Sequence, residues 1–138
     1  NSYNPMALAM DTASGISEQR WNLVQEQAKT SLVGRTTNFP VPDLNPYIPV
    51  TDLGEEFREE VKSDIRTLFL AGTLDGRTLY ETQLELAANF KNGRVLTIDG
   101  AGHNLFMAHE DISHSIHQFL MGEEVKDGTI QLPELVFQ

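Results

Sequence analysis

The spacing of apolar residues predicts helices in the first half of the chain. From Ser17 onward one apolar face recurs at helical intervals and ends near Gly34, with its positions occupied by Trp21, Val24, Ala28 and Leu32. Residues 1–16 are rich in small side chains and show no period. The stretch "NFPVPDLNPYIPV" at 38–50 holds four prolines, which predicts an extended connector, and a short acidic helix is expected over 55–61.

The pattern changes after residue 61, where short apolar runs alternate with helical segments. "IRTLFLAG" at 65–72 and "RVLTI" at 94–98 are typical of buried strands. Between them a helix is expected to open at Thr78, with Glu81 completing a capping box, and to stop at Asn92-Gly93. A last helix is predicted over "DISHSIHQFLMG", ending at Gly122, with a stripe formed by Ile112, Ile116, Phe119 and Leu120.

The order strand, helix, strand, helix over residues 65–122 predicts the α/β class, with a parallel sheet covered by helices. Two strands make a poor sheet, so an open edge is expected, to be covered by the rest of a larger protein or by another copy of the chain. We therefore predict self-association through the exposed sheet edge. The tail "TIQLPELVF" is expected to be extended and apolar.

Composition narrows the possible partners. The 138 residues suffice for about one domain, and 40% hydrophobic residues can build a core. A net charge of −10 argues against nucleic acid and anionic membranes as partners. Without cysteine there is no disulfide or thiolate chemistry; the compartment stays open, with the cytoplasm favoured. No apolar run is long enough to span a bilayer, and no signal peptide is visible. Since the chain begins with Asn1, we expect it to be a piece of a longer protein.

Two glycine-rich turns carry the candidate chemistry. "GTLDGRT" at 72–78 places Asp75 after the first strand, and "GAGHNLF" at 100–106 places His103 after the second. Parallel neighbouring strands bring such turns to one edge of the sheet, where ligands bind in open α/β folds. A carboxylate beside an imidazole can fix its tautomer and stabilise the imidazolium, which suits catalysis. The alternative is that both are ordinary turn residues.

Other polar and aromatic residues have simpler interpretations. His114 and His117 are spaced to share a metal, but no further ligand follows at suitable spacing, and surface positions explain them better. We predict no metal and no cofactor. Arg77 could pair with a carboxylate at the edge of the sheet, although a solvated or structural role is favoured. Trp21 is expected in the core, with a substrate-lining position as the alternative, and Thr73 is expected to hydrogen-bond within its own turn.

"RTLFLAGTLDGRT…NFKNGRVLTIDGAGHNLF…FLMGE" resembles the C-terminal part of an α/β-hydrolase, of the proline iminopeptidase-like and tripeptidyl-aminopeptidase-like serine hydrolases. In that family the triad follows the order Ser, Asp, His. The resemblance implies that Asp75 is the triad acid and His103 the triad base. It also implies that residues 1–50 are a remnant of the helical cap with its proline-rich connector, and that 51–138 are the end of the hydrolase core.

The nucleophile of that family is missing. It lies in a G-x-S-x-G turn, and the nearest match, "GISEQ" around Ser17, lacks the second glycine and is more simply a helix N-cap. The sequence therefore predicts a C-terminal fragment of a serine hydrolase that cleaves ester or amide bonds, with a small molecule or a peptide as substrate of the parent. A peptidase acting near an N-terminus is the first choice and an esterase the near alternative. The isolated chain should be inactive. A non-catalytic binding or assembly module on a hydrolase-derived scaffold is the competing hypothesis.

Overall fold

The computed structural model describes residues 4–36 and 41–134. The chain forms two compact units, one ending at Glu59 and the other beginning at Glu60. The division predicted at residue 50 falls inside the first unit, and the origin of residues 1–50 as a cap remnant stays a prediction. None of the helices described is long and apolar enough to cross a membrane.

The first unit is helical. Its elements are α1 (Pro5–Ser14), α2 (Glu18–Ala28), α3 (Val41–Leu44), a 3-10 turn (Asn45–Tyr47) and α4 (Gly54–Arg58). The predicted N-cap at Ser17 is present, since its hydroxyl accepts from the backbone N–H of Arg20 at 3.3 Å. The predicted length of α2 is wrong: the helix ends at Ala28, and Leu32 is fully exposed rather than on the apolar face.

Two further expectations for this unit are corrected. Helix α1 arises where no period is visible, because the Asn4 side chain caps it and Pro5 occupies the first turn, where the missing N–H costs nothing. Residues 41–47 form short helical turns rather than an extended connector. Proline in the first turn again permits this, at Pro46. Residues 38–40 of the predicted connector lie outside the described residues.

Arg58 fastens the end of α4 to the end of α1. Its guanidinium donates to the backbone carbonyl of Ser14 and to Asp52 Oδ1, both at 2.8 Å, and its side chain is only 13% exposed. The hydrogen bond from Arg58 lowers the pKa of the Asp52 carboxyl, so this carboxylate stays charged near neutral pH.

The second unit is a three-stranded parallel sheet with helices, which confirms the predicted α/β class. The strands are β1 (Thr67–Gly72), β2 (Gly93–Asp99) and β3 (Gly128–Gln131), in the order β1-β2-β3. Gly72 pairs with Ile98, and Asp99 pairs with Gln131. The third strand was expected only as an extended tail. In the part of the chain that the structure describes, no strand lies on the outer side of β1, and the self-association predicted for this edge stays a prediction.

Helices α5 (Tyr80–Ala87) and α6 (Glu110–Leu120) cover opposite faces of the sheet. Neighbouring residues of a strand face opposite sides. Thr97 of β2 hydrogen-bonds to the hydroxyl of Tyr80 in α5 at 3.1 Å. The flanking residues of β2 belong instead to the core that includes α6, which consists of Leu96, Ile98, Ala101, Leu105, Ile112 and Val125.

The helix ends of this unit differ from the sequence expectation in two places. The capping box at Thr78 is wrong, because α5 begins at Tyr80 and the Thr78 N–H is bound by the Asp75 carboxylate. The stop at Asn92-Gly93 is also wrong, since α5 ends at Ala87 and Gly93 is the first residue of β2. The predicted end of α6 is confirmed by Gly122, which has a φ of 83°.

Candidate active site at the carboxyl edge of the sheet

Asp75 and His103 meet at the carboxyl edge of the sheet. Asp75 follows β1 and His103 follows β2, and because the strands are parallel neighbours, both turns emerge on the same side. His103 Nδ1 lies 2.9 Å from Asp75 Oδ2, across 28 residues of sequence. The Asp75 side chain is 2% exposed, whereas that of His103 is 40% exposed. The structure thus brings the two predicted site residues into direct contact, with the acid buried and the imidazole accessible.

The second oxygen of Asp75 is held by the backbone. Asp75 Oδ1 accepts from the N–H of Arg77 at 2.9 Å and from that of Thr78 at 3.0 Å. The Thr78 bond, then the Arg77 bond and the contact with His103, lower the pKa of Asp75 against the opposing effect of burial. Asp75 is therefore ionised near neutral pH and can only accept hydrogen bonds.

This charge state determines the tautomer of His103. Because Oδ2 of an ionised carboxylate is an acceptor, Nδ1 must carry the proton and donate it to Asp75. In the neutral ring Nε2 is then the unprotonated nitrogen and can accept a proton. Among the described residues of the second unit, no group hydrogen-bonds to Nε2. The arrangement can therefore orient a general base.

The two turns are in close backbone contact. The N–H of Leu74 donates to the carbonyl of Ala101 at 2.9 Å. A Cβ at Gly72 would lie 2.6 Å from that carbonyl oxygen and 2.7 Å from that of Gly102, so no side chain fits there. Leu105, only 7% exposed, anchors the His103 turn in the core. Gly72 therefore allows the two turns to approach each other closely.

No described serine of the second unit completes the pair. Within this unit Ser63, Ser113 and Ser115 each hydrogen-bond to a backbone group, and none of them bonds to His103. Ser113, on α6, donates to the Phe106 carbonyl at 3.0 Å.

The other candidate side chains of the second unit do not join this site. His114 and His117 are exposed on α6, and the described residues contain no cluster of three or more His, Asp or Glu able to hold a metal. Arg77 contributes its backbone N–H rather than its guanidinium. In the first unit, Trp21 is half-buried, and the guanidinium of Arg35 lies 5.2 Å from the centre of its ring.

At this edge the predicted partner of Thr73 is wrong, and Asp99 was not predicted. Thr73 does not bond within its own turn but donates to Asp99 Oδ1 at 2.8 Å. No role was predicted for Asp99, because an acidic residue at the end of a strand has no distinctive sequence pattern. Its position directly before "GAGH" was the only available indication.

A family model described as TAP-like protein matches residues 46–130, which is more than half of the chain and includes both Asp75 and His103. The chain belongs to this TAP-like family of α/β-hydrolases. The match confirms the predicted α/β-hydrolase relationship. No significant match was found to a curated protein or to a solved structure. For this TAP-like chain, the family match shows the hydrolase relationship, and the parallel sheet with its helices shows the α/β fold.

Proposed function

We propose that this chain is the C-terminal part of a serine hydrolase in which Asp75 is the orienting acid and His103 the general base. The hydrogen bond between His103 Nδ1 and a buried, ionised Asp75 carries the proposal. Both residues fall inside the family match, and the pair lies at the edge of the sheet where α/β folds bind ligands.

The proposed reaction uses His103 twice. As a serine hydroxyl attacks the carbonyl carbon of an ester or amide, its proton moves to Nε2. The imidazolium, stabilised by Asp75, then gives that proton to the leaving alcohol or amine, and an acyl-enzyme remains. Water attacks the acyl group in the second half, again losing its proton to Nε2, which returns it to the serine oxygen.

The proposal requires a serine from outside these residues. The sequence holds no G-x-S-x-G turn, and within the second unit no described serine hydrogen-bonds to His103. In the described residues, β1 pairs with β2 on its inner side and with no strand on its outer side. A further parallel strand can therefore pair with the outer edge of β1. A preceding part of a longer protein would supply both the strand and the nucleophile, and the isolated chain would be inactive.

Exposed apolar residues beside the pair favour an apolar acyl or peptide substrate. Leu74, directly before Asp75, is 60% exposed, and Phe106 and Met107, just after His103, are 62% and 81% exposed. Exposed large apolar side chains are typical of surfaces that bind ligands or peptides. The resemblance in sequence favours a peptidase acting near an N-terminus, with an esterase as the alternative.

A hydrolysis assay tests this proposal. The longer protein should release p-nitrophenol from p-nitrophenyl butyrate and p-nitroaniline from aminoacyl p-nitroanilides, whereas the 138-residue chain should show only background. Paired anilides with a free or an acetylated amine separate the two substrate classes: an aminopeptidase loses the acetylated substrate, and an esterase cleaves the butyrate alone. A folded longer protein that hydrolyses none of these would favour the non-catalytic module.

A further inference from the structure

A side-chain link joins the two turns that carry Asp75 and His103. The Thr73 hydroxyl donates to Asp99 Oδ1 at 2.8 Å and accepts from the N–H of Gly100 at 2.9 Å. Thr73 lies two residues before Asp75, and Gly100 lies three residues before His103. One hydroxyl thus connects the turn after β1 to the turn after β2.

Asp99 extends this link to the third strand. Its carboxylate is also hydrogen-bonded by the Gln131 side chain, and its backbone carbonyl accepts from the N–H of Leu132 at 3.0 Å. Hydrogen bonds from Thr73 and then Gln131 lower the pKa of Asp99, so it remains a charged acceptor near neutral pH. Asp99, the last residue of β2, is therefore hydrogen-bonded to residues at the carboxyl ends of both β1 and β3.

We propose that Thr73 and Asp99 are positioning residues for the Asp75–His103 pair, holding the two turns at the separation that the pair requires. The His103 turn leaves β2 at Gly100, where φ is 80°. The Thr73 hydroxyl binds the N–H of that same glycine and so fixes where the turn departs from β2. The effect of this positioning on catalysis rests on the proposed function, whereas the positioning itself does not.

The first test follows the pair itself by NMR in the 138-residue chain. In Thr73→Val, which keeps the shape and removes the hydroxyl, we expect the slowly exchanging Nδ1–H resonance of His103 to broaden or vanish. The Gly100 amide should exchange roughly tenfold faster with the loss of one hydrogen bond. Thr73→Ser restores the hydroxyl and should restore both signals.

A matched control separates positioning from general stability. The hydroxyl of Thr67, at the other end of β1, donates to the nearby Ile65 carbonyl at 3.0 Å. Thr67→Val should therefore leave the His103 resonance and the Gly100 exchange rate unchanged. Equal effects of Thr67→Val and Thr73→Val, or an unchanged Nδ1–H resonance in Thr73→Val, would overturn the proposal. Should Thr73→Val fail to fold, Asp99→Ala removes the same bond from the other side and must weaken the same resonance.

Kinetics in the longer protein supply the second test. Thr73→Val should lower kcat by roughly 10- to 100-fold with little change in KM, because misplacing a catalytic group impairs the chemical step. Thr73→Ser should keep most of the activity. If NMR shows the coupling but the longer protein hydrolyses nothing, the proposed function fails and the positioning link stands. If hydrolysis is present and Thr73→Val leaves kcat unchanged, the link is refuted and the proposed function stands.

Discussion

Replacing His103 by alanine is expected to abolish nearly all hydrolysis by the longer protein. The loss in kcat should be on the order of 10⁴-fold or more, because the serine would have no base to accept its proton and no acid to protonate the leaving group. Steady-state kinetics on p-nitrophenyl butyrate and on an aminoacyl p-nitroanilide measure this loss.

His114→Ala is the control for this variant. His114 is exposed on α6, in the same unit but outside the pair, and its replacement should leave kcat and KM unchanged. Turnover in His103→Ala close to that of the unaltered protein would contradict the assignment of the base.

Asp75→Asn should lower kcat by about 10⁴-fold while leaving the fold intact. Two backbone N–H groups bind Oδ1 of Asp75, so the amide oxygen of asparagine must occupy that position. The amide NH₂ then faces His103 Nδ1, which can no longer donate and must accept. The proton of the neutral ring moves to Nε2, where the base needs a free lone pair.

Ring ¹⁵N shifts of His103 report this change of tautomer directly. The unaltered 138-residue chain should show Nδ1–H, and Asp75→Asn should show Nε2–H, with backbone spectra that remain dispersed. Asp64→Asn, at an exposed acid of the same unit, should change neither the tautomer nor the kinetics. An Asp75→Asn variant that keeps the Nδ1–H tautomer and normal turnover would refute the orienting role of Asp75.

The contact between Asp75 and His103 could be predicted from the sequence, because the order of strands and helices alone brings the two turns together. Two apolar runs separated by one helix must form neighbouring parallel strands, and each run ends in a glycine-rich turn with one functional side chain. The buried acid and exposed imidazole follow from the packing of Leu105 and the close approach at Gly72, which sequence patterns do not show.

Local signals failed where another side chain bound the same atoms. Thr78 and Glu81 match a capping box, but the Thr78 N–H is bound by Asp75, so the helix begins two residues later. The third strand was predicted only as an extended tail, because four residues are too few for a periodic pattern to identify a strand. Its pairing is supported instead by the Asp127 carboxylate, which accepts from the Val95 N–H at 2.6 Å.

The bond between Thr73 and Asp99 shows the limit of reading turns in isolation. Threonine in a turn predicts a local hydrogen bond, yet the partner lies 26 residues away on the neighbouring strand. Only the register of β1 against β2, which pairs Gly72 with Ile98, places the two side chains side by side.

The assignment of His103 as the base of a serine nucleophile can be tested by labelling the longer protein with a fluorophosphonate and mapping the labelled peptide by mass spectrometry. We expect one labelled serine, outside residues 1–138 and within a G-x-S-x-G turn, with labelling lost in His103→Ala. A label on a serine within residues 1–138, or labelling that persists at full rate in His103→Ala, would contradict it.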